Sequence, residues 1–203
     1  MEIKNIIAVY NQSKYNALQE FSTLMDKTSS YMNDIARTTD RYKKCDSKLL
    51  EKETLLAMKK QCQNTLFTPD DIQLVSGQRF PDIIAAKHFG VEVKSTKENK
   101  WTSTGSSIIE STRVENIDHI YMLFGKLGGD PIEFKCKPYQ DCLYDIAVTH
   151  SPRYLIDMEI SKEKTIFSKI GIEYDKFRKS ENPINTVRMY YLRKIKEEKR
   201  TAM

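Results

Sequence analysis

A change of hydrophobic period at Pro69-Asp70-Asp71 divides this chain. Before it, residues 11 to 66 read as helical. Tyr15, Leu18, Phe21 and Met25 fall at three- and four-residue steps, one stripe of a helix. Leu55, Met58, Cys62 and Leu66 repeat the spacing, with Asp46 or Ser47 placed to cap that second helix. After the break, short apolar runs take over: IQLV (72–75), DIIAA (82–86), VEVKS (91–95), HIYMLFGKL (119–127), IEFKCK (132–137) and LYDIAVT (143–149). These read as strands, and Gly128-Gly129-Asp130-Pro131 reads as a turn. From Pro152 the chain mixes strand-like YLIDMEI with helical TIFSKIGIEYDKF and the basic VRMYYLRKIKEEKR. Helices, then a mainly antiparallel or mixed sheet, then helices is the order of an α/β or α+β fold, a central mixed sheet flanked by helices. With 203 residues, one domain over 1–203 is expected, in three parts: helical 1–66, a sheet over 67–150, and a helix-and-strand extension over 151–203.

Composition narrows the function classes without choosing one. Hydrophobic content of 39% beside 30% charge suits a soluble protein, and no apolar run approaches the about 18 residues a membrane span needs. The N-terminus MEIKNIIAVYNQSK lacks a signal-peptide pattern, so a cytoplasmic protein without membrane attachment is expected. Cys45, Cys62, Cys136 and Cys142 show no CxxC spacing and only three histidines accompany them, which reads as reduced thiols rather than a zinc site. The net charge of +5 is compatible with an acidic site inside a basic rim, and with many ordinary proteins as well.

The chemistry-bearing stretch is FPDIIAAKHFGVEVKST, residues 80–96. Side chains alternate across a strand, so Glu92, Lys94 and Thr96 share one face. A turn at Lys87-His88-Phe89-Gly90 sets Asp82 opposite or diagonal to Lys94 and Ser95, with the register open by a residue. Two carboxylates and an ammonium then converge. Such a cluster suits Mg²⁺, a hard ion that takes oxygen ligands and commonly uses one or two carboxylates. The acid-x-Lys triplet recurs, at Asp46-Ser47-Lys48 and Glu98-Asn99-Lys100 among others. Only Glu92-Val93-Lys94 lies in a strand-like run just behind a Pro-Asp strand.

Pro81-Asp82, a turn and Glu92-Val93-Lys94 resemble the PD-(D/E)XK motif of type II restriction endonucleases and related nucleases. The resemblance spans about 15 residues in the motif itself, and the element order extends it to about residues 45–150. It implies a restriction-endonuclease-like core, Asp82 and Glu92 as metal ligands, Mg²⁺ as the ion, and Lys94 as the catalytic lysine. Many members add a glutamate from a preceding helix. Glu51 and Glu53 are the candidates here, and Glu51 is favoured because it shares the face of Leu55, Met58 and Cys62.

The stretch after Lys94 is rich in hydroxyls and cations. Ser95, Thr96, Lys97, Lys100, Ser103, Ser106 and Arg113 are candidate DNA contacts, and a flexible region around Gly105 would follow a groove. The plain alternative is a solvated loop leading to a short helix. Trp101 reads as a packing residue, His88 as a surface residue in the turn, His119 as a core or edge histidine, and the basic 188–200 segment as a solvated helix face or a terminal arm on DNA. A metal-dependent endonuclease acting on double-stranded DNA follows, as a homodimer or paired with a second subunit where both strands are cut. A repair, recombination or nicking nuclease fits the same core. The reading from another class is a non-catalytic DNA- or protein-binding module, with Glu92 and Lys94 as a cross-strand ion pair.

Overall fold

Three capping side chains lay out the helical first third. Asn5, Ser13 and Asp46 accept hydrogen bonds from the amides of Ala8, Asn16 and Leu49, starting α1 (Ile6–Gln12), α2 (Lys14–Thr38) and α3 (Ser47–Gln61). The computed structural model describes residues 4–148 and 150–201. Strands β1 (Ile72–Leu74), β2 (Ile83–Ala85), β3 (Phe89–Thr96), β4 (Thr102–Ser107), β5 (His119–Lys126) and β6 (Glu133–Pro138) follow. Then come β7 (Leu143–Ala147), β8 (Arg153–Asp157), α4 (Ile166–Ile170), α5 (Tyr174–Arg178) and α6 (Pro183–Thr201). The α+β class read from the sequence is what the chain adopts. The strand expected over 143–149 ends at Ala147, and Thr149 lies outside the described residues.

The chain forms two compact units, Met1–Ser103 with Thr112–Tyr139, and Thr104–Ser111 with Gln140–Met203.

In the first unit a five-stranded mixed sheet runs β1-β2-β3-β5-β6. β3 and β5 pair in parallel and every other neighbour is antiparallel. Strand alternation sends Phe89, Val91, Val93, Tyr121 and Leu123 into one core with the helices. Phe21 of α2 sits at its centre, 4.7 Å from the Phe89 ring and 5.3 Å from that of Tyr121. At the far edge, Asn33 of α2 clamps Phe134 of β6, donating to its carbonyl at 3.0 Å and accepting from its amide at 2.7 Å.

The buried stripe of α2 is Ala17, Phe21, Leu24, Met25, Thr28 and Met32, while Tyr15 is 70% exposed. The expected stripe through Tyr15 and Leu18 is therefore rotated. Ala17 and Thr28, too small or too polar to count as anchors in a sequence scan, are both fully buried, and the Thr28 hydroxyl donates to the Leu24 carbonyl at 2.8 Å. On α3 the buried residues are Leu50, Thr54, Ala57 and Met58, with Glu51 half-buried beside them.

The second unit has a three-stranded sheet ordered β4-β8-β7. Its β4 corrects the expectation of a flexible loop. Gly105 is buried, and a Cβ there would lie 3.2 Å from Ile156 and 3.3 Å from Tyr154, so glycine serves close packing rather than mobility. Arg153 donates to the Gly105 carbonyl at 2.9 Å, and Tyr174 donates to the buried Glu110 at 2.6 Å. The rings of Tyr154, Phe167, Tyr174 and Phe177 fill this smaller core.

Candidate active site

The β2–β3 turn is tighter than the sequence implied. It closes at Ala86-Lys87-His88, with Ala86 and Lys87 both at positive φ (51° and 66°), and the strands pair Ile83 with Val91 and Ala85 with Phe89. Continued by one residue, this register sets Asp82 beside Glu92, not beside Lys94 or Ser95. Phe89 and Gly90 belong to the strand because one fills the core and the other has no room for a side chain. A Cβ on Gly90 would meet Pro81 Cγ at 2.4 Å. The glycine thus lets the Pro81-Asp82 segment lie directly on β3.

Asp82 and Glu92 consequently meet on one face of the sheet. The Val93 amide donates to Asp82 Oδ2 at 2.8 Å, which anchors that carboxylate on β3. Glu92 is only 4% exposed, and Lys94 Nζ reaches Glu92 Oε1 at 2.7 Å. Burial raises the pKa of Glu92 to about 7, assisted by the neighbouring Asp82 charge, and outweighs the attraction of Lys94. Asp82 is also raised, by burial, against the opposing pull of the Val93 amide and Lys94. Two desolvated carboxylates beside one ammonium form a strained anionic pair. Such a pair takes up a proton or a cation readily.

Helix α3 supplies the third acid. Glu51 is half-buried, and its pKa is raised by burial and then by the Asp82 charge, with Lys94 and Lys48 opposing. Glu51 therefore feels the same two side chains that Glu92 does. Glu53 is committed elsewhere, since Arg41 Nε donates to its Oε2 at 2.6 Å. The Glu53 side chain, expected on a more polar side, is only 14% exposed, covered beside a half-exposed Arg41.

Among the described residues no group of three or more His, Cys, Asp and Glu side chains is drawn together as a ready-made metal cage. The hard-oxygen pair of Asp82 and Glu92 nevertheless matches the needs of Mg²⁺, which binds through one or two carboxylates and keeps waters or substrate oxygens in its other positions.

The candidate DNA-contacting residues divide by environment. Ser95 and Thr96 are half-exposed at the end of β3, Lys97 is exposed, and Lys100 is exposed and paired with Glu98 at 2.9 Å. Ser103 and Ser106 are half-exposed on β4, Ser106 within the second unit. Arg113 has a local task. Its guanidinium donates to the Ile117 carbonyl at 2.7 Å and lies over the Phe80 ring at 5.7 Å. Trp101 is a packing residue, 7% exposed against Phe124, with the ammonium groups of Lys135 and Lys126 over its ring at 4.2 and 5.0 Å.

One polar cluster was invisible in the sequence. His88, expected on the surface, is half-buried and stacked on Tyr10, with ring centroids 3.9 Å apart and planes 4° from parallel. The Tyr10 hydroxyl bonds Asp118, which Lys14 also approaches at 3.6 Å. Tyr10 lies on a helix 78 positions before His88, so no local spacing announces the contact. Cys45, Cys62, Cys136 and Cys142 are not disulfide-bonded.

Compared with known proteins, the chain matches no family model, and no curated protein matches it. Among the described residues no helix is long and apolar enough to cross a membrane.

Proposed function

We propose that the protein is a Mg²⁺-dependent endonuclease that hydrolyses phosphodiester bonds of double-stranded DNA, a PD-(D/E)XK enzyme acting in the cytoplasm as a type II restriction endonuclease. The observation that carries this reading is the meeting of Asp82, Glu92 and Lys94 on one face of β2 and β3, with Glu51 of α3 electrostatically coupled to Asp82 and Lys94. Asp82 and Glu92 would hold the ion, which would supply a Lewis acid for the scissile phosphate and lower the pKa of an attacking water. Lys94 offers its ammonium to the developing charge and positions the water. Glu51 adds a further acceptor for the water or the ion's hydration shell. Water is the nucleophile, so the absence of a serine or cysteine from this cluster is no obstacle. A two-fold homodimer, or pairing with a second subunit, brings the two sites that cutting both strands requires.

The direct Glu92–Lys94 pair at 2.7 Å also favours a second reading, a non-catalytic binding module in which the pair only ties up a buried charge. Incubation of plasmid DNA with Mg²⁺, and in parallel with EDTA, separates the two. Metal-dependent cleavage that disappears in Lys94→Ala supports the nuclease. Cleavage that persists in that variant overturns the catalytic assignment, and DNA binding without cleavage favours the module.

A further inference from the structure

Helix α6 (Pro183–Thr201) is attached to its unit by one side. Val187 is its buried residue, and Tyr191 donates to Asp145 and, at 3.2 Å, to the Ile146 carbonyl. From Leu192 to Thr201 every residue is exposed. At about 100° per residue, an arc of about 160° running from Ile195 round to Arg193 carries Arg188, Arg193, Lys196, Lys199 and Arg200. Glu197 and Glu198 fall on the other side, with Val187 and Tyr191. The outward arc thus holds cations and no acid.

We propose that this face of α6 docks along the phosphate backbone of double-stranded DNA. Naming DNA as the anion rests on the nuclease reading above. Three features of the helix fit a duplex. From Arg188 to Arg200 the helix rises about 18 Å, and the five cations are spread along that length. They form one positive strip set against the phosphates that line a duplex surface. The exposed apolar residues of the arc are spaced to support those cations. Met189, Leu192 and Ile195 each have a cation four residues on, at Arg193, Lys196 and Lys199. Side chains at that spacing lie against one another, so aliphatic stems rest on apolar neighbours while the charged heads stay in water. Self-pairing of two such faces would set cations against cations, which disfavours a second copy as the occupant.

The test is equilibrium binding of the full chain to a short duplex in EDTA, where no cleavage occurs, across a salt series. The expected result is a slope of log affinity against log salt that falls by about 3 to 5 in Arg188→Gln/Arg193→Gln/Lys196→Gln/Lys199→Gln/Arg200→Gln. Affinity at low salt should weaken at least about tenfold. Circular dichroism and a melting curve establish that the variant folds. Lys199→Gln/Arg200→Gln, confined to the last exposed turn, gives the same comparison with a slope change of about 1 to 2. Exchanging arginine for lysine and lysine for arginine at the five positions should retain binding. Unchanged slope and affinity in the folded variants, or no duplex binding by the unaltered protein, overturns the proposal. So does loss of binding to phosphatidylserine vesicles with duplex binding intact, which reassigns the face to lipid. Cleavage absent while duplex binding still depends on α6 overturns the nuclease reading and leaves this one standing; cleavage present with α6 silent does the reverse.

Discussion

The Val93 amide donates a hydrogen bond of 2.8 Å to Asp82 Oδ2, so the carboxylate just before β2 is held by the backbone of β3. Because Glu92 is the residue before Val93, that one bond fixes the two acids side by side. The candidate site is thus positioned by sheet pairing rather than by a loop, and β2 and β3 set its precision.

Lys94→Ala should lower Mg²⁺-dependent cleavage by about 10²- to 10³-fold while leaving duplex binding in EDTA unchanged. Single-turnover rates with saturating enzyme separate the two effects. A rate within about threefold of the unaltered protein would remove Lys94 from the chemistry.

Stability should depend on pH through Glu92. Its folded-state value is raised to about 7 from an ordinary 4.5, so the folded protein keeps a proton that the unfolded chain has lost. That contribution is fully present below the unfolded value and disappears as pH rises through about 7. In EDTA, melting temperature should fall between about pH 5 and about pH 8, and less steeply in Glu92→Gln. By about pH 8 the variant should be the more stable by on the order of 3 kcal/mol. Parallel pH profiles for the two proteins would contradict the buried acid.

Added Mg²⁺ should raise the melting temperature of the unaltered protein by binding the folded state alone. Asp82→Asn should abolish that shift without abolishing folding, since an amide oxygen still accepts from Val93. A shift of equal size in the variant would place the ion elsewhere.

Glu51 and Glu53 should separate cleanly. Glu51→Gln should reduce cleavage with little effect on the melting temperature. Glu53→Gln breaks the 2.6 Å pair with Arg41 and should cost about 0.5 to 1 kcal/mol of stability, measured by urea unfolding, with cleavage retained. The opposite pattern would exchange their roles.

Gly90→Ala should destabilise the protein by about 1 to 3 kcal/mol, because the new methyl group meets Pro81 Cγ at 2.4 Å. Moving Pro81 moves Asp82, so cleavage should fall even at temperatures where the variant is folded. Full activity in a folded Gly90→Ala protein would mean that Asp82 tolerates displacement.

Much of this was legible because it is local. The change of period at Pro69 separates helices from strands, alternation puts Glu92 and Lys94 on one face, and Asp46 announces the start of α3. Glu51 could be preferred over Glu53 from its place on that helix, though the reason Glu53 is committed, its pairing with Arg41, could not. The strand over 102–107 was missed because TSTGSS has no apolar residue to alternate. It is a strand because Tyr154 and Ile156 of β8 pack where Gly105 has no side chain.

What the sequence determined by itself is the class of fold and the residues able to carry chemistry, since period, capping and residue type act within a few positions. The tertiary structure decided which of them meet. Asp82 lies beside Glu92 because core packing draws Phe89 into the strand and Gly90 admits Pro81. The raised pKa values arise from burial, and from the Asp82 charge, beneath neighbours distant in sequence. The pairing of Tyr10 with His88 and Asp118 has the same origin. Register, desolvation and long-range pairing depend on the whole unit closing around the site, and no short stretch of chain encodes them alone.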